Sequence, residues 1–323
     1  MSEYAASWLN FEETLGGVRP VLRGTTQDMR AQYDGLLSFL SSQHPPTSDE
    51  VKVNQEEVSG VEYRTYIPHA CETKHLPIGV FYHSGGLVVG SLDAEDAFCR
   101  QVALRANVII VNVGYRLSPE HKAPAHLEDA VTLYEWVYNN AQRIGGDHSR
   151  IFAMGTSAGG ALALAVTRKV ALGQASIPAD SCKGMVVLCP VTLHPLNVPA
   201  KYQAVYQSYE EKKENVPVVD QTSLSQMFDN TGIEPDDEQY FPVLDDGCLK
   251  LFPPTYLVTC GQDPLRDDGK VLQAALSSAG VPIQANHYDN MPHCFWMVPS
   301  LPETKTFLNF LMKGVEWIVK ARS

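Results

Sequence analysis

The sequence lacks the features that mark membrane-spanning and nucleic-acid-binding proteins. It contains no uninterrupted apolar run of about 18 residues, so no transmembrane helix is predicted. Basic residues are scarce, with 25 Lys and Arg against 37 Asp and Glu, which gives a net charge of −12. Such an acidic chain is not attracted to nucleic acid or to an anionic membrane surface. We therefore expect no nucleic acid among its partners and no membrane span.

The sequence also lacks the patterns typical of a metal centre or a disulfide framework. It contains no C-x-x-C pair and no H-E-x-x-H motif, so no metal site is predicted. The seven cysteines are odd in number and scattered along the chain, which argues against a disulfide scaffold. Residues 1–8 have neither the basic nor the apolar region of a secretory signal. These absences together favour a reducing, cytoplasmic location.

The pattern of apolar residues predicts an α/β domain. From about residue 51, short apolar runs alternate with segments of helical periodicity. This alternation is typical of a mostly parallel sheet that is covered by helices on both faces. The predicted strands span residues 62–68, 78–82, 108–115, 151–154, 185–189, 255–259 and 283–287. The predicted helices span residues 94–106, 123–140, 158–172, 269–279 and 303–320.

Two segments fall outside this alternation. Residues 1–50 have apolar side chains at helical spacing and end in a proline-bearing linker. Residues 195–250 are polar and contain prolines, and they lie between two strong strands. An insert of that length rarely stays without structure inside a compact domain. We therefore predict a helical cap formed by residues 1–50 and 195–250, over a catalytic core formed by residues 51–194 and 251–323.

The most specific motif is G-T-S-A-G at residues 155–159, between a predicted strand and a predicted helix. In that setting G-x-S-x-G is typical of a nucleophile elbow, a sharp turn that exposes the serine hydroxyl. A glycine-rich turn without chemistry is the alternative, and the strand–turn–helix context favours the elbow. The pattern therefore predicts Ser157 as a nucleophile beside a helix N-terminus, where developing negative charge is stabilised.

A second motif is H-S-G-G at residues 83–86, directly after a predicted strand. Small residues in such a loop can direct backbone N–H groups at a reacting carbonyl oxygen. By itself the motif fits an ordinary tight turn. Together with the downstream elbow, it predicts an oxyanion hole made by the N–H groups of Gly85, Gly86 and Ala158.

Two further residues complete a predicted catalytic triad. Asp263 follows one predicted strand, and His293 follows the last one. A carboxylate can hold a histidine in the tautomer that accepts the serine proton. The chain order serine, aspartate, histidine is the one typical of α/β-hydrolases. The alternative for Asp263 is stabilisation of its own turn, and Asp267 and Asp268 are interpreted as caps of the following helix.

Taken together, these motifs resemble the hormone-sensitive-lipase-like family of α/β-hydrolases. The resemblance covers about residues 75–300 and includes Y-R-L-S-P-E at 115–120 and D-P-L-R-D at 263–267. It implies a mostly parallel, eight-stranded sheet flanked by helices, with a helical cap and without metal or cofactor. It also implies hydrolysis of short- to medium-chain acyl esters through an acyl-enzyme. Members of the family often dimerise, so a homodimer is expected.

Two positions depart from the family pattern. Ser84 stands where the family has its first loop glycine, and Thr156 stands where it usually has Asp. The glycines that would act as donors are kept, so we expect activity to survive. The loss of a charge beside the nucleophile is expected to alter substrate or pH preference. Residues 8–20 resemble fungal members of the family tied to secondary metabolism.

The motifs leave two alternatives open. A thioesterase or lactonase acting on a polyketide-like metabolite would use the same triad. A non-catalytic small-molecule receptor on this fold is the other, and the presence of His293 argues against it, because plant gibberellin receptors lack that histidine. In the first alternative the pocket would be lined by Tyr202, Tyr206, Tyr209, Met227, Phe228, Tyr240 and Phe241. The other role for these residues, expected for most of them, is the core of the cap.

Overall fold

The computed structural model describes residues 4–44, 49–69 and 75–320. The strands are β1 (Val51–Val58), β2 (Val61–Pro68), β3 (Leu76–Tyr82), β4 (Ile109–Gly114), β5 (Gly146–Thr156), β6 (Cys182–Leu188), β7 (Thr255–Gln262) and β8 (Ile283–Pro292). The helices are α1 (Ala6–Thr14), α2 (Thr26–Ser41), α3 (Asp96–Ala106), α4 (Ala125–Asn140), α5 (Ala158–Ala171), α6 (Ser208–Glu211), α7 (Gln221–Thr231), α8 (Asp246–Leu249), α9 (Arg266–Ser278) and α10 (Pro302–Lys320).

The strands form one sheet in the order β1-β2-β4-β3-β5-β6-β7-β8. The pairs β1–β2 and β2–β4 are antiparallel, and every pair from β4 to β8 is parallel. This arrangement confirms the mostly parallel, eight-stranded sheet. The carboxyl ends of the parallel strands meet at one edge, which is where open α/β sheets place their sites.

Strand β1 was not predicted from the residue pattern. Its sequence, V-K-V-N-Q-E-E-V, is largely polar, and only Val51 is buried. The strand lies at the edge of the sheet and pairs with β2 alone among the described residues. An edge strand buries little side-chain surface, so it carries no strong apolar signal. By contrast, every residue of the central strands β3 and β7 is buried.

The N-terminal helices and the insert of residues 195–250 meet through short polar and backbone contacts. Val21 forms an isolated parallel bridge with Val218. Arg19 donates to the Asn215 carbonyl at 2.6 Å. An ion pair between Arg23 and Asp220 joins the loop before α2 to the N-cap of α7. These contacts support the division into core and cap, which remains a proposal. None of the described helices has the length and apolar character needed to cross a membrane.

Candidate active site

Ser157 lies between β5 and α5 in a strained backbone conformation. Its φ is 56° and its ψ is −120°, a combination that residues other than glycine rarely adopt. The turn requires glycine at two positions, because a Cβ on Gly155 would collide with the Gly159 carbonyl and one on Gly159 with the Tyr82 carbonyl. The Ser157 N–H donates to the Leu188 carbonyl at 2.8 Å, which ties the turn to β6. The backbone therefore has the shape of the predicted elbow.

Three side chains that are distant in the sequence form one row of hydrogen bonds. His293 Nε2 lies 3.0 Å from Ser157 Oγ, and His293 Nδ1 lies 2.7 Å from Asp263 Oδ2. Their exposed fractions are 2% for His293, 6% for Ser157 and 0% for Asp263. Gln262 at the end of β7 pairs with Pro292 at the end of β8, so the next residue of each strand leaves the sheet beside the other. The structure thus brings the three predicted residues together.

The surroundings of His293 favour its protonated form. Burial by itself lowers the pKa of an imidazole, but the charge and the hydrogen bond of Asp263 raise the pKa of His293 well above its ordinary value. Asp263 also accepts a hydrogen bond from the Leu265 N–H at 2.8 Å. Asp263 therefore stabilises its own turn and orients the histidine at the same time. When Nδ1 donates to Asp263, the Nε2 lone pair faces the Ser157 hydroxyl.

Gly85 and Gly86 lie in the loop between β3 and α3. Their φ angles are +123° and +63°, which glycine adopts readily and other residues do not. The Gly85 carbonyl accepts hydrogen bonds from the N–H groups of Val88 and Val89, at 3.0 and 2.9 Å. Within the described ranges, no hydrogen bond uses the N–H of Gly85, Gly86 or Ala158. These three donors are free to bind a ligand, and Gly86 and Ala158 line the same cavity.

A buried carboxylate that the sequence reasoning missed joins this loop to the elbow. Glu95, just before α3, accepts hydrogen bonds from the Ser84 N–H at 2.7 Å and from the Thr156 hydroxyl at 3.2 Å. Burial raises the pKa of Glu95, and these two hydrogen bonds oppose the rise. In the sequence Glu95 lies within D-A-E-D at 93–96, which is typical of an exposed helix start. No local signal separates it from its acidic neighbours.

The interpretation of Asp267 and Asp268 as helix caps is wrong. Both are buried in the first turn of α9, and neither caps that helix. Asp267 accepts hydrogen bonds from the N–H groups of Gln207 and Ser208 at 2.9 and 2.7 Å. Asp268 accepts one from the Thr192 N–H at 2.8 Å. The two carboxylates therefore hold the insert and the segment after β6, which are distant in the sequence.

An apolar cavity that opens to solvent lies beside the elbow, with about 400 Å³ of empty space including its mouth. Of the seven insert residues predicted to line a pocket, Met227, Phe228, Tyr240 and Phe241 line this one. The remaining three, Tyr202, Tyr206 and Tyr209, do not contribute to its wall and pack in or against the hydrophobic core, which is the other role expected for these residues. The other lining residues are Gly86, Leu87, Ala158, Ala161, Val191, Leu224, Thr231 and Ile233.

The two polar side chains in the wall of this cavity are engaged elsewhere. The Thr231 hydroxyl donates to the Phe228 carbonyl at 2.8 Å, and the Tyr240 hydroxyl lies 3.3 Å from His126 Nδ1. The cavity therefore suits an apolar group. A second apolar cavity, with about 380 Å³ of empty space including its mouth, lies between the N-terminal helices and the loop after β8, and it reaches Cys294.

One set of side chains in the described ranges has the spacing of metal ligands. The donor atoms of Cys189, Cys260 and Asp263 lie within 4.8 Å of one another. The two thiols contact each other at 3.4 Å, and Asp263 is already engaged by His293. The absence of a metal site remains a prediction. The six described cysteines are free and buried, and Cys71 lies outside the described residues.

Comparisons with known proteins identify the family. Residues 79–297 match the family model described as alpha/beta hydrolase fold. Versiconal hemiacetal acetate esterase from Dothistroma septosporum is 41% identical over 317 residues, with 98% of this chain and 95% of the relative covered. The protein of the same name from Aspergillus parasiticus is 33% identical, with 98% of each chain covered. The crystal structure of vibralactone cyclase has a TM-score of 0.87 at 26% identity and covers 99% of this chain and 96% of that one. The chain therefore belongs to the α/β-hydrolase fold family, as its resemblance to the hormone-sensitive-lipase-like esterases implied.

Proposed function

We propose that this chain is a serine carboxylesterase that hydrolyses short- to medium-chain acyl esters through an acyl-enzyme. The observation that carries the proposal is the buried row of hydrogen bonds from Ser157 Oγ through His293 to Asp263. The esterase names of two full-length relatives support it. The supporting geometry also argues against a receptor, which has no need of an aligned proton acceptor.

Each step of the reaction has a residue suited to it. Ser157 Oγ attacks the ester carbonyl while His293 Nε2 accepts the hydroxyl proton. The oxyanion that forms is stabilised by the N–H groups of Gly85, Gly86 and Ala158, and each donor contributes on the order of 3 kcal/mol. His293 then protonates the leaving alcohol, and a water molecule repeats the sequence on the acyl-enzyme. The proton thus returns to Ser157 with release of the acid.

The apolar cavity of about 400 Å³ bears on the substrate. A wall without free polar side chains binds a hydrocarbon or aromatic portion and rejects a charged one. The relatives' name specifies an acetate ester. We infer that the substrate is a small-molecule ester with a short acyl group and a larger, mainly apolar alcohol portion. The similarity to these fungal esterases favours a role in fungal secondary metabolism.

Lactone chemistry is a second candidate, because the full-length match to a vibralactone cyclase has a TM-score of 0.87. A lactone or thioester would be attacked by the same serine. Mass spectrometry separates the possibilities: opening a lactone adds one water to a single product, whereas ester hydrolysis releases two.

Activity on aryl esters of rising acyl length tests the proposal. We expect turnover from acetate to hexanoate by the wild type and none by Ser157→Ala. The matched control is Ser176→Ala, which changes an exposed serine beyond the C-terminal end of α5 and should keep wild-type rates. A fluorophosphonate should label Ser157 alone. Equal rates for Ser157→Ala and wild type, or labelling at another residue, would overturn the assignment.

A cytoplasmic location and a homodimer complete the proposal. The free state of all six described cysteines supports a reducing compartment. Strand β8 pairs only with β7 among the described residues, so its outer edge can pair with a second copy. Light scattering on the purified chain tests the dimer, and a monomeric mass at micromolar concentration would contradict it.

A further inference from the structure

Glu95 connects the two segments whose relative position the proposed reaction depends on. Its Oε1 accepts a hydrogen bond from the N–H of Ser84, the residue before Gly85. Its Oε2 accepts one from the hydroxyl of Thr156, the residue before Ser157. One carboxylate therefore touches the neighbours of an oxyanion donor and of the nucleophile, which are more than 70 positions apart in the sequence.

The burial of the Glu95 carboxylate costs free energy, and the residue is held at a fixed place. Glu95 is 2% exposed, and no Lys or Arg in the described part of the chain forms an ion pair with it. Burial of a carboxylate without a charged partner is unfavourable unless its hydrogen bonds are satisfied. The Glu95 carbonyl accepts a hydrogen bond from the Cys99 N–H at 2.9 Å, so the residue is anchored at the start of α3. A carboxylate on an anchored backbone, with each oxygen bonded to a different segment, is suited to holding those two segments at a constant separation.

The rest of the loop has its own contacts, which do not involve Glu95. The Tyr115 hydroxyl donates to the His83 carbonyl at 2.8 Å, and the two rings stack at 4.2 Å. The loop can therefore stay folded without the carboxylate while Gly85 and Gly86 shift relative to Ser157. A displacement of about 1 Å is enough to weaken an oxyanion hole, because the donors must meet the developing charge at hydrogen-bond distance.

We propose that Glu95 is a positioning residue, which holds the oxyanion donors of residues 85–86 in register with the nucleophile by bridging Ser84 and Thr156. This inference rests on the proposed function. Glu95 touches no reacting atom, and its contribution is specific to the transition state. Its loss should therefore lower kcat and leave KM nearly unchanged.

Three substitutions test the bridge. Glu95→Ala removes both hydrogen bonds, and we expect kcat on p-nitrophenyl acetate to fall by about 10- to 100-fold, with KM unchanged. Glu95→Gln keeps an acceptor for Ser84 and offers an amide donor to the Thr156 oxygen, so it should retain most of the wild-type kcat. Thr156→Val is nearly isosteric and removes one bond, so an intermediate loss is expected. The matched control is Asp93→Ala, an exposed acidic residue of the same segment.

An aryl trifluoromethyl ketone provides a readout that a general loss of stability would not move. It forms a tetrahedral adduct with the serine, so its inhibition constant should rise in Glu95→Ala by the same factor as kcat falls. If Glu95→Ala does not fold, Thr156→Val carries the test. Wild-type kcat and inhibitor affinity in a folded Glu95→Ala or Thr156→Val would overturn the inference. So would a Glu95→Gln variant as impaired as Glu95→Ala. Activity that survives in Ser157→Ala would instead overturn the proposed function, so the two failures are distinguishable.

Discussion

The side-chain hydroxyl of Tyr33 lies 3.0 Å from the side-chain hydroxyl of Ser84, and both groups are buried. This contact joins α2 of the N-terminal segment to the loop that contains Gly85. The serine at position 84, where the family has glycine, thus supplies the hydroxyl that the tyrosine needs.

A double-mutant cycle on Tyr33→Phe and Ser84→Ala should reveal this coupling. Ser84→Ala leaves the buried Tyr33 hydroxyl without this partner, and Tyr33→Phe removes one partner of the Ser84 hydroxyl, which also contacts the Glu95 carboxylate. Each loss should cost about 1–3 kcal/mol in the free energy of unfolding. The double variant removes both groups, so its loss should be smaller than the sum of the single losses. Urea denaturation followed by circular dichroism measures all four proteins. Strictly additive losses would show that the two hydroxyls are not coupled.

The pH dependence of activity should report the protonation of His293. Only neutral His293 can accept the serine proton, so kcat/KM should fall as the pH drops through its pKa. Because Asp263 raises that pKa, Asp263→Asn should move the acid limb to lower pH and reduce kcat by about 10⁴-fold. His287→Ala, in the strand that precedes His293, is the control and should keep the wild-type profile. A profile for Asp263→Asn with an unmoved acid limb would contradict the assignment of His293.

Asp268 should make the stability of the fold depend on pH. Burial raises the pKa of this carboxyl to about 7, although hydrogen bonds from backbone N–H groups oppose the rise. A carboxyl whose pKa is raised on folding stabilises the protein below its unfolded pKa of about 4, and this contribution is lost as the pH rises through about 7. Asp268→Asn should therefore gain stability relative to wild type between acid and neutral pH, by on the order of a few kcal/mol.

Urea denaturation at several pH values checks this, with Asp267→Asn as the contrasting variant. Burial raises the pKa of Asp267, but hydrogen bonds from Arg266 and Lys270 outweigh it and lower the pKa below the ordinary value. Its contribution is present above the unfolded pKa and is lost as the pH falls. Asp267→Asn should thus lose stability relative to wild type as the pH rises. The same pH trend in both variants would show that the two carboxyls do not titrate as described.

Met227 should limit the size of the group that enters the 400 Å³ cavity. Its side chain lies so close to Gly86 that any Cβ on that glycine would collide with it. Met227→Ala should raise the ratio of kcat/KM for hexanoate over acetate esters by about tenfold, because extra methylenes gain space. The control is Leu196→Ala, at a side chain that is 83% exposed, which should leave the ratio unchanged. An unchanged ratio in Met227→Ala would show that the acyl chain binds elsewhere.

The parts of the site that could be predicted are those with a local cause. Gly155 and Gly159 are needed because the turn around Ser157 leaves no room for side chains, and that requirement is visible within five residues. Asp263 and His293 could be selected because each follows a predicted strand in the expected order. Strand β1 was not predicted, because pairing at the edge of a sheet produces no periodic pattern of apolar residues. The three tyrosines of the insert that lie outside the cavity wall could not be told from those within it, because a position in the wall produces no such pattern either.

The class of fold, the nucleophile turn and the three residues of the hydrogen-bonded row could be predicted from the residue pattern alone. Apolar periodicity and steric demands on glycine act over a few residues and can be read there. The position of Glu95 between Ser84 and Thr156, and the hydrogen bond that Asp268 accepts from the segment after β6, depend on how the folded chain packs. Glu95 and Asp268 are both acidic residues near a helix start, and such residues are normally solvated. Their burial results from how distant segments pack, which no neighbouring residue specifies.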